Sequence, residues 1–272
     1  TQGDNSVAIG NNALFSQNGT NGNVYNVAIG KNAGFAVTTG TNNTLIGGLA
    51  GDAITDADGN IAVGSLALSA NTVGSSSVAI GYAALATQNP ASATAMYNTA
   101  VGASAGTAIT TGIRNIIMGG LAGDALTDAD FNIGIGHQSL TADTKGSKST
   151  AVGYRTLANQ NFSTSTDSHN TAIGNDAGLS VTTGVENTII GGAAGDALTD
   201  ADFNVAVGTY ALSTDTLGSN SVAIGGLALS SQNFTSATDS YNTAVGSLAG
   251  RNVTTGVRNT LIGGLSGDAL NT

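Results

Sequence analysis

Apolar and polar positions in this chain recur as a short phrase, not as a helical stripe. Asn or Ser is followed by a β-branched residue, a usually small residue, an aliphatic residue and then Gly, and the phrase occurs fifteen times. Its Gly falls first at Gly10, Gly30, Gly47, Gly64 and Gly81, and last at Gly263. Successive copies are 17 residues apart, except that every fourth spacing is 20 or 21. A 72-residue period therefore overlies the first, as Gly81, Gly153 and Gly225 show, and the opening unit is one residue shorter. Seventeen residues are too few for a helix-turn-helix repeat. They suit two short strands and two turns, one coil of a parallel β-solenoid.

The residue types agree with strands. Three places before the Gly every coil has Val, Ile or Thr, and one place before it every coil has Ile or Val except Met118. Side chains alternate along a strand, so these two positions share a face, and β-branched residues suit a pleated surface. Ala stands between them in most coils, with Leu45, Ile117, Ile189 and Leu261 in one coil type only. A second apolar pair follows the Gly and ends in Leu (Ala13-Leu14) in two coil types and in Gly (Ala33-Gly34) in the other two. Gly, Asn and Thr at this density are poor helix formers. The expected fold is all-β, a parallel β-solenoid of about 15 coils, with residues 1–272 a single repeat domain. Coils rising about 4.8 Å each would give a rod on the order of 70 Å long.

Four coil types alternate: a long coil (residues 221–241), one with a Thr-Thr-Gly turn (170–186), an acidic one (115–131) and one closing on a Gly-Ser turn (204–220). Four places before the Gly stands Asn in eleven coils, and Ser6, Ser77, Ser149 and Ser221 in the long ones. A stacked column of Asn amides bonded coil to coil is its expected use. Thr1 falls inside a Gly-Ser-type turn and Thr272 inside an acidic coil, so the expectation is a piece cut from a longer repetitive chain.

Composition narrows the function. Charged residues are 9% of the chain against a usual ~25%, and 7 Lys+Arg face 17 Asp+Glu, for a net charge of -10. That balance argues against a nucleic-acid partner. No apolar run approaches the ~18 residues of a membrane helix, so this segment is not expected to insert in a membrane. The absence of Cys excludes disulfides and thiolate metal sites.

The phrase SVAIG, at residues 77–81 and 221–225 and followed by an apolar pair, resembles the head repeat of trimeric autotransporter adhesins. Similar phrases are familiar from phage tail-fibre proteins. The resemblance implies a left-handed β-roll, a homotrimer, and an extracellular or cell-surface role in attachment to a cell-surface protein or glycan. A virion tail fibre is the alternative. The 17-residue coil departs from that family's shorter repeat. No heptad stalk, neck motif or membrane barrel stands in the chain.

Two groups of residues are candidate sites. The acidic coils hold ten of the seventeen carboxylates. Asp128, Asp130 and Asn132, with Asp200, Asp202 and Asn204, offer alternating oxygens of the kind calcium takes; otherwise their Asp side chains cap their own turn. The long coils add about four residues at one corner, after Gln88-Asn89, Gln160-Asn161-Phe162 and Gln232-Asn233-Phe234. Loops on a rigid scaffold are where binding concentrates; otherwise Phe162 and Phe234 fold back onto the roll. His169 occupies the place of Tyr25, Tyr97 and Tyr241, which makes it a structural ring. No Ser, His and carboxylate set recurs, so no catalytic residue and no cofactor besides calcium is expected. A polysaccharide-processing solenoid would need a carboxylate and Arg or Lys cluster in one cleft. An ice-binding surface would need Thr on every coil, whereas Thr pairs such as Thr38-Thr39 and Thr110-Thr111 come once in four.

Overall fold

A computed structural model describes residues 5–18 and 22–271. The protein is an all-β parallel β-solenoid of about fifteen coils at about 17-residue spacing, and none of the described residues is helical. It divides into two compact units, Thr1–Asn132 and Ile133–Thr272. In the first, the phrase forms the strands Val7–Ile9, Val27–Ile29, Thr44–Ile46, Ile61–Val63, Val78–Ile80, Thr99–Val101 and Ile116–Met118. In the second it forms Ile133–Ile135, Thr150–Val152, Thr171–Ile173, Thr188–Ile190, Val205–Val207, Val222–Ile224, Thr243–Val245 and Thr260–Ile262. Within each unit every strand pairs in parallel with the equivalent strand of the next coil, so that Val27, Ala28 and Ile29 lie opposite Thr44, Leu45 and Ile46.

Among the described residues, the second strand expected in each coil forms only at the long corners. There Gly74–Ser75 pairs with Thr94–Ala95, Gly146–Ser147 with Thr166–Asp167, and Gly218–Ser219 with Thr238–Asp239. Elsewhere the apolar pair after the Gly lies in tight turns. The second and fourth residues past the Gly are left-handed, as at Leu66 (φ 62°) and Leu68 (φ 52°). The repeat Gly turns the chain out of the strand at φ near 137°. A Cβ on Gly30 would lie 2.5 Å from the Gly47 carbonyl oxygen, so no other residue fits between stacked coils.

The core is narrow. The middle residue of each strand points inward, and Ala28, Leu45, Ala62 and Ala79 are fully buried. Leu68, Leu85, Leu140 and Leu157 fill the interior where the fourth residue past the Gly is Leu. Where it is Gly, neighbours take the space: a Cβ on Gly34 would meet Leu45 Cδ1 at 2.8 Å and Leu14 Cδ2 at 2.9 Å. The seventh residue past the Gly then turns apolar, as at Val37 and Ile54. Coil types thus exchange volume at constant packing, as close-packed interiors require.

The Asn column runs inside this core. Asn43 Nδ2 donates across its coil to the Ala57 carbonyl at 2.8 Å, and its backbone N donates to Asn26 Oδ1 at 2.9 Å. In the long coils Ser lacks the amide, and a Gln eleven residues on supplies it. Gln88 Nε2 donates to Ser77 Oγ at 3.1 Å, and Gln88 Oε1 accepts from Asn98 Nδ2 at 3.0 Å. Gln160 and Gln232 repeat the arrangement with Ser149 and Ser221.

Candidate interaction surface

With the small middle residue turned inward, the β-branched residues on either side of it face solvent. Ile61, Ile80 and Ile116 in the first unit, and Ile173, Ile190 and Ile224 in the second, are 36% to 41% exposed. Ile61 and Ile116 stand three places before the Gly and Ile80 one place before it, whereas Ile173, Ile190 and Ile224 share the column one place before it. Thr or Val is half-buried beside each except Ile116, whose partner Met118 is exposed. A soluble monomer rarely shows a continuous apolar ladder of this kind. Beyond the Gly the outward surface continues through the left-handed column of Leu49, Leu66 and Leu121, and of Tyr210, Leu227 and Leu248.

One stretch of the second unit is polar instead. His137 stacks on Tyr154 with ring centroids 5.8 Å apart, and the Arg155 guanidinium lies 5.0 Å from the Tyr154 ring centre. Arg155 Nε and Nη2 donate to Asp176 Oδ1 and Oδ2 at 2.8 and 3.0 Å, and Asn175 Nδ2 donates to Asp176 Oδ2 at 2.8 Å. The Asp176 carboxylate raises the Arg155 pKa further above its already high value.

The acidic turns are tied into the coil stack. Asp130 Oδ1 accepts from the Ile113 backbone N and Asp202 Oδ1 from that of Val185, both at 2.7 Å. Asp128 Oδ1 accepts from Thr127 Oγ1 at 3.1 Å, and Asp200 Oδ1 from Thr183 Oγ1 at 2.6 Å. Asn132 and Asn204 are fully buried in the Asn column, and Asn204 Nδ2 donates to the Gly218 carbonyl at 2.9 Å. The residues weighed for calcium therefore divide between surface and interior. Among the described residues no three His, Cys, Asp or Glu side chains gather to hold a metal. Desolvation raises the pKa of Asp52, Asp196 and Asp202. Asp52 and Asp196 each keep one buried oxygen without a hydrogen bond.

At the long corners Gln88, Gln160 and Gln232 are fully buried, and Phe162 and Phe234 are only 5% and 6% exposed. Of the residues weighed as receptor contacts, only the amides of Asn89, Asn161 and Asn233 remain at or near the surface. The exposed tips are residues 91–93, 163–165 and 235–237.

Two features escaped the sequence reading. Asp143 is buried beside Gln160, whose Nε2 donates to its Oδ2 at 2.6 Å, while the Gly146 N donates to its Oδ1 at 2.9 Å. Asp215 and Gln232 repeat the pair. Desolvation pushes the Asp143 pKa up despite the Gln160, Gly146 and Phe162 hydrogen bonds, which act to lower it. The repeat was the available signal, since Asn71 holds the equivalent place in the first unit. The second feature is a Thr column eight residues past the Gly, at Thr38, Thr55 and Thr72 and again at Thr182, Thr199 and Thr216. Its hydroxyls donate to carbonyls of the next coil, as Thr38 Oγ1 does to Thr55 O at 3.2 Å. They are spent inside the stack instead of being displayed to solvent.

Fold and surface together define a repetitive parallel β-solenoid with an outward β-branched face. No family model, no curated protein and no solved structure matches the chain.

Proposed function

We propose that this chain is a structural, adhesive rod segment of a homotrimeric fibre that mediates attachment outside the cell, without catalysis. The observation that supports it is the outward Ile and Val ladder present on both units. A coil whose core is mostly Ala and one Leu buries little area by itself. Covering a regular apolar ladder with the same ladder of two further copies adds that area, and ladders that face a three-fold axis cover one another in a closed ring. The rod then holds the corner tips at fixed intervals, where a surface protein or glycan can engage them.

The first test is the particle mass in solution by light scattering, with a negative-stain image. Three chains in a stiff rod are expected; a single-chain mass overturns the reading. Replacing Ile173 and Ile190 with Lys should reduce the particle to one chain while the β-sheet circular dichroism stays. Replacing residues 91–93, 163–165 and 235–237 with Gly should abolish attachment to cells and leave the trimer intact. Unchanged attachment would remove the tips from the binding surface.

A further inference from the structure

The 72-residue period creates a difficulty for self-association. A copy displaced by four coils, about 19 Å, offers its neighbour nearly the same Ile and Val columns. Register is weakly specified between surfaces that repeat. In the column two residues past the Gly, the opening coils carry Asn12 and Asn32, and the charged pair is Arg155 and Asp176. Gln138, Arg155 and Asp176 stand where the first period has Leu66, Ala83 and Ser104 and the third has Tyr210, Leu227 and Leu248. The stacked His137 and Tyr154 rings and the bidentate Arg155–Asp176 pair hold this belt in a defined shape.

We propose that the belt sets the axial register in which copies of the chain associate; the inference rests on the trimeric reading above. In register, the belt of each copy meets the belts of its neighbours. Arg155 has N–H groups left beyond those on its own Asp176, and a neighbour's Asp176 can accept from them. Displaced by four coils, Arg155 and Asp176 face Leu227 and Leu248. Charge is then covered without a partner across the interface, which is unfavourable. A polar residue on an otherwise apolar seam fixes register in the same way in coiled coils.

The chain has no Cys, so one spin label can be placed without background. Thr209 is exposed in the column beside the ladder, in the same unit as the belt. The full chain carrying Thr209→Cys and a nitroxide should have the mass of three chains and one interchain distance by pulsed electron resonance. With Arg155→Ala and Asp176→Ser added, the residues of the first period, the mass should persist and a second distance should appear, corresponding to the displacement of about 19 Å. One unchanged distance in that variant overturns the belt's role. Loss of association overturns it too, because the belt would then supply affinity and not register. Should the variant fail to fold, the exchange Arg155→Asp with Asp176→Arg keeps the pair and is expected to keep one distance; mixed distances there count against the proposal. A single-chain mass in the labelled parent refutes the trimer itself, which separates the two failures.

Discussion

At the residue scale, buried amides decide whether the coils stack. Asn187 Nδ2 donates to the Ala201 carbonyl at 2.8 Å, and its Oδ1 accepts from the Asn204 backbone N at 2.9 Å. Asn187→Ala removes both bonds and strands a buried carbonyl and a buried N–H. It should cost about 2–4 kcal/mol, since each unsatisfied buried group costs about 1–3 kcal/mol. Urea unfolding checks this, and a loss below about 1 kcal/mol would contradict a structural role for the column. Asp143 offers the opposite case. Its folded pKa lies above the ordinary 3.8, so the folded state binds the proton more readily than the unfolded chain. Stability is then greatest with the proton bound and falls as pH rises from about 3.8 through the folded value. Asp143→Asn, copying Asn71, should stabilise the protein at neutral pH, and the gain should vanish in acid. Denaturation midpoints at several pH values read this; a gain that grows on acidification would reverse the sign.

At the element scale, coil types are complementary partners. Leu45 fills the space left by Gly34, and their contact is already at its limit. Gly34→Ala adds a Cβ 2.8 Å from Leu45 Cδ1 and should destabilise by about 1–3 kcal/mol. Leu45→Ala alone should cost about 2–5 kcal/mol. The double variant should lose less than the sum, and strict additivity in a double-mutant cycle would deny the exchange of volume. The strand, its alternation and the four coil types were legible because each leaves its own residue at a fixed offset from Gly. The second strand was over-read, since Ala13-Leu14 looks like strand until left-handed φ values place it in a turn. Gln160 and Phe162 read as loop residues because insertion length carries no sign of direction; the eleven-residue spacing to Ser149 was the missed cue. The acidic turns likewise serve the stack, as Asp130 does by holding Ile113. Calcium should accordingly leave the melting temperature unchanged in the native chain and in Asp128→Ala with Asp130→Ala. A rise in the native protein alone would establish a calcium site.

At the scale of the whole molecule, apolar face and net charge oppose each other. Each chain carries -10, so three chains in the proposed trimer would carry -30 and repel one another. The cations are few, and Arg155 is already neutralised by Asp176 in its own chain. Association driven by the Ile and Val ladder should therefore strengthen as salt is added, because screening shortens the reach of repulsion to about 10 Å at 0.1 M, and sulfate should act more strongly by favouring apolar burial. If pairs such as Arg155 with a neighbour's Asp176 supplied the affinity instead, salt would weaken the trimer. Sedimentation equilibrium across a salt series distinguishes the two. Tighter association with salt fits a belt that selects register while the ladder supplies affinity. Looser association would move the energetic centre of the assembly from the Ile columns to residues 137–176 and make the belt the interface itself.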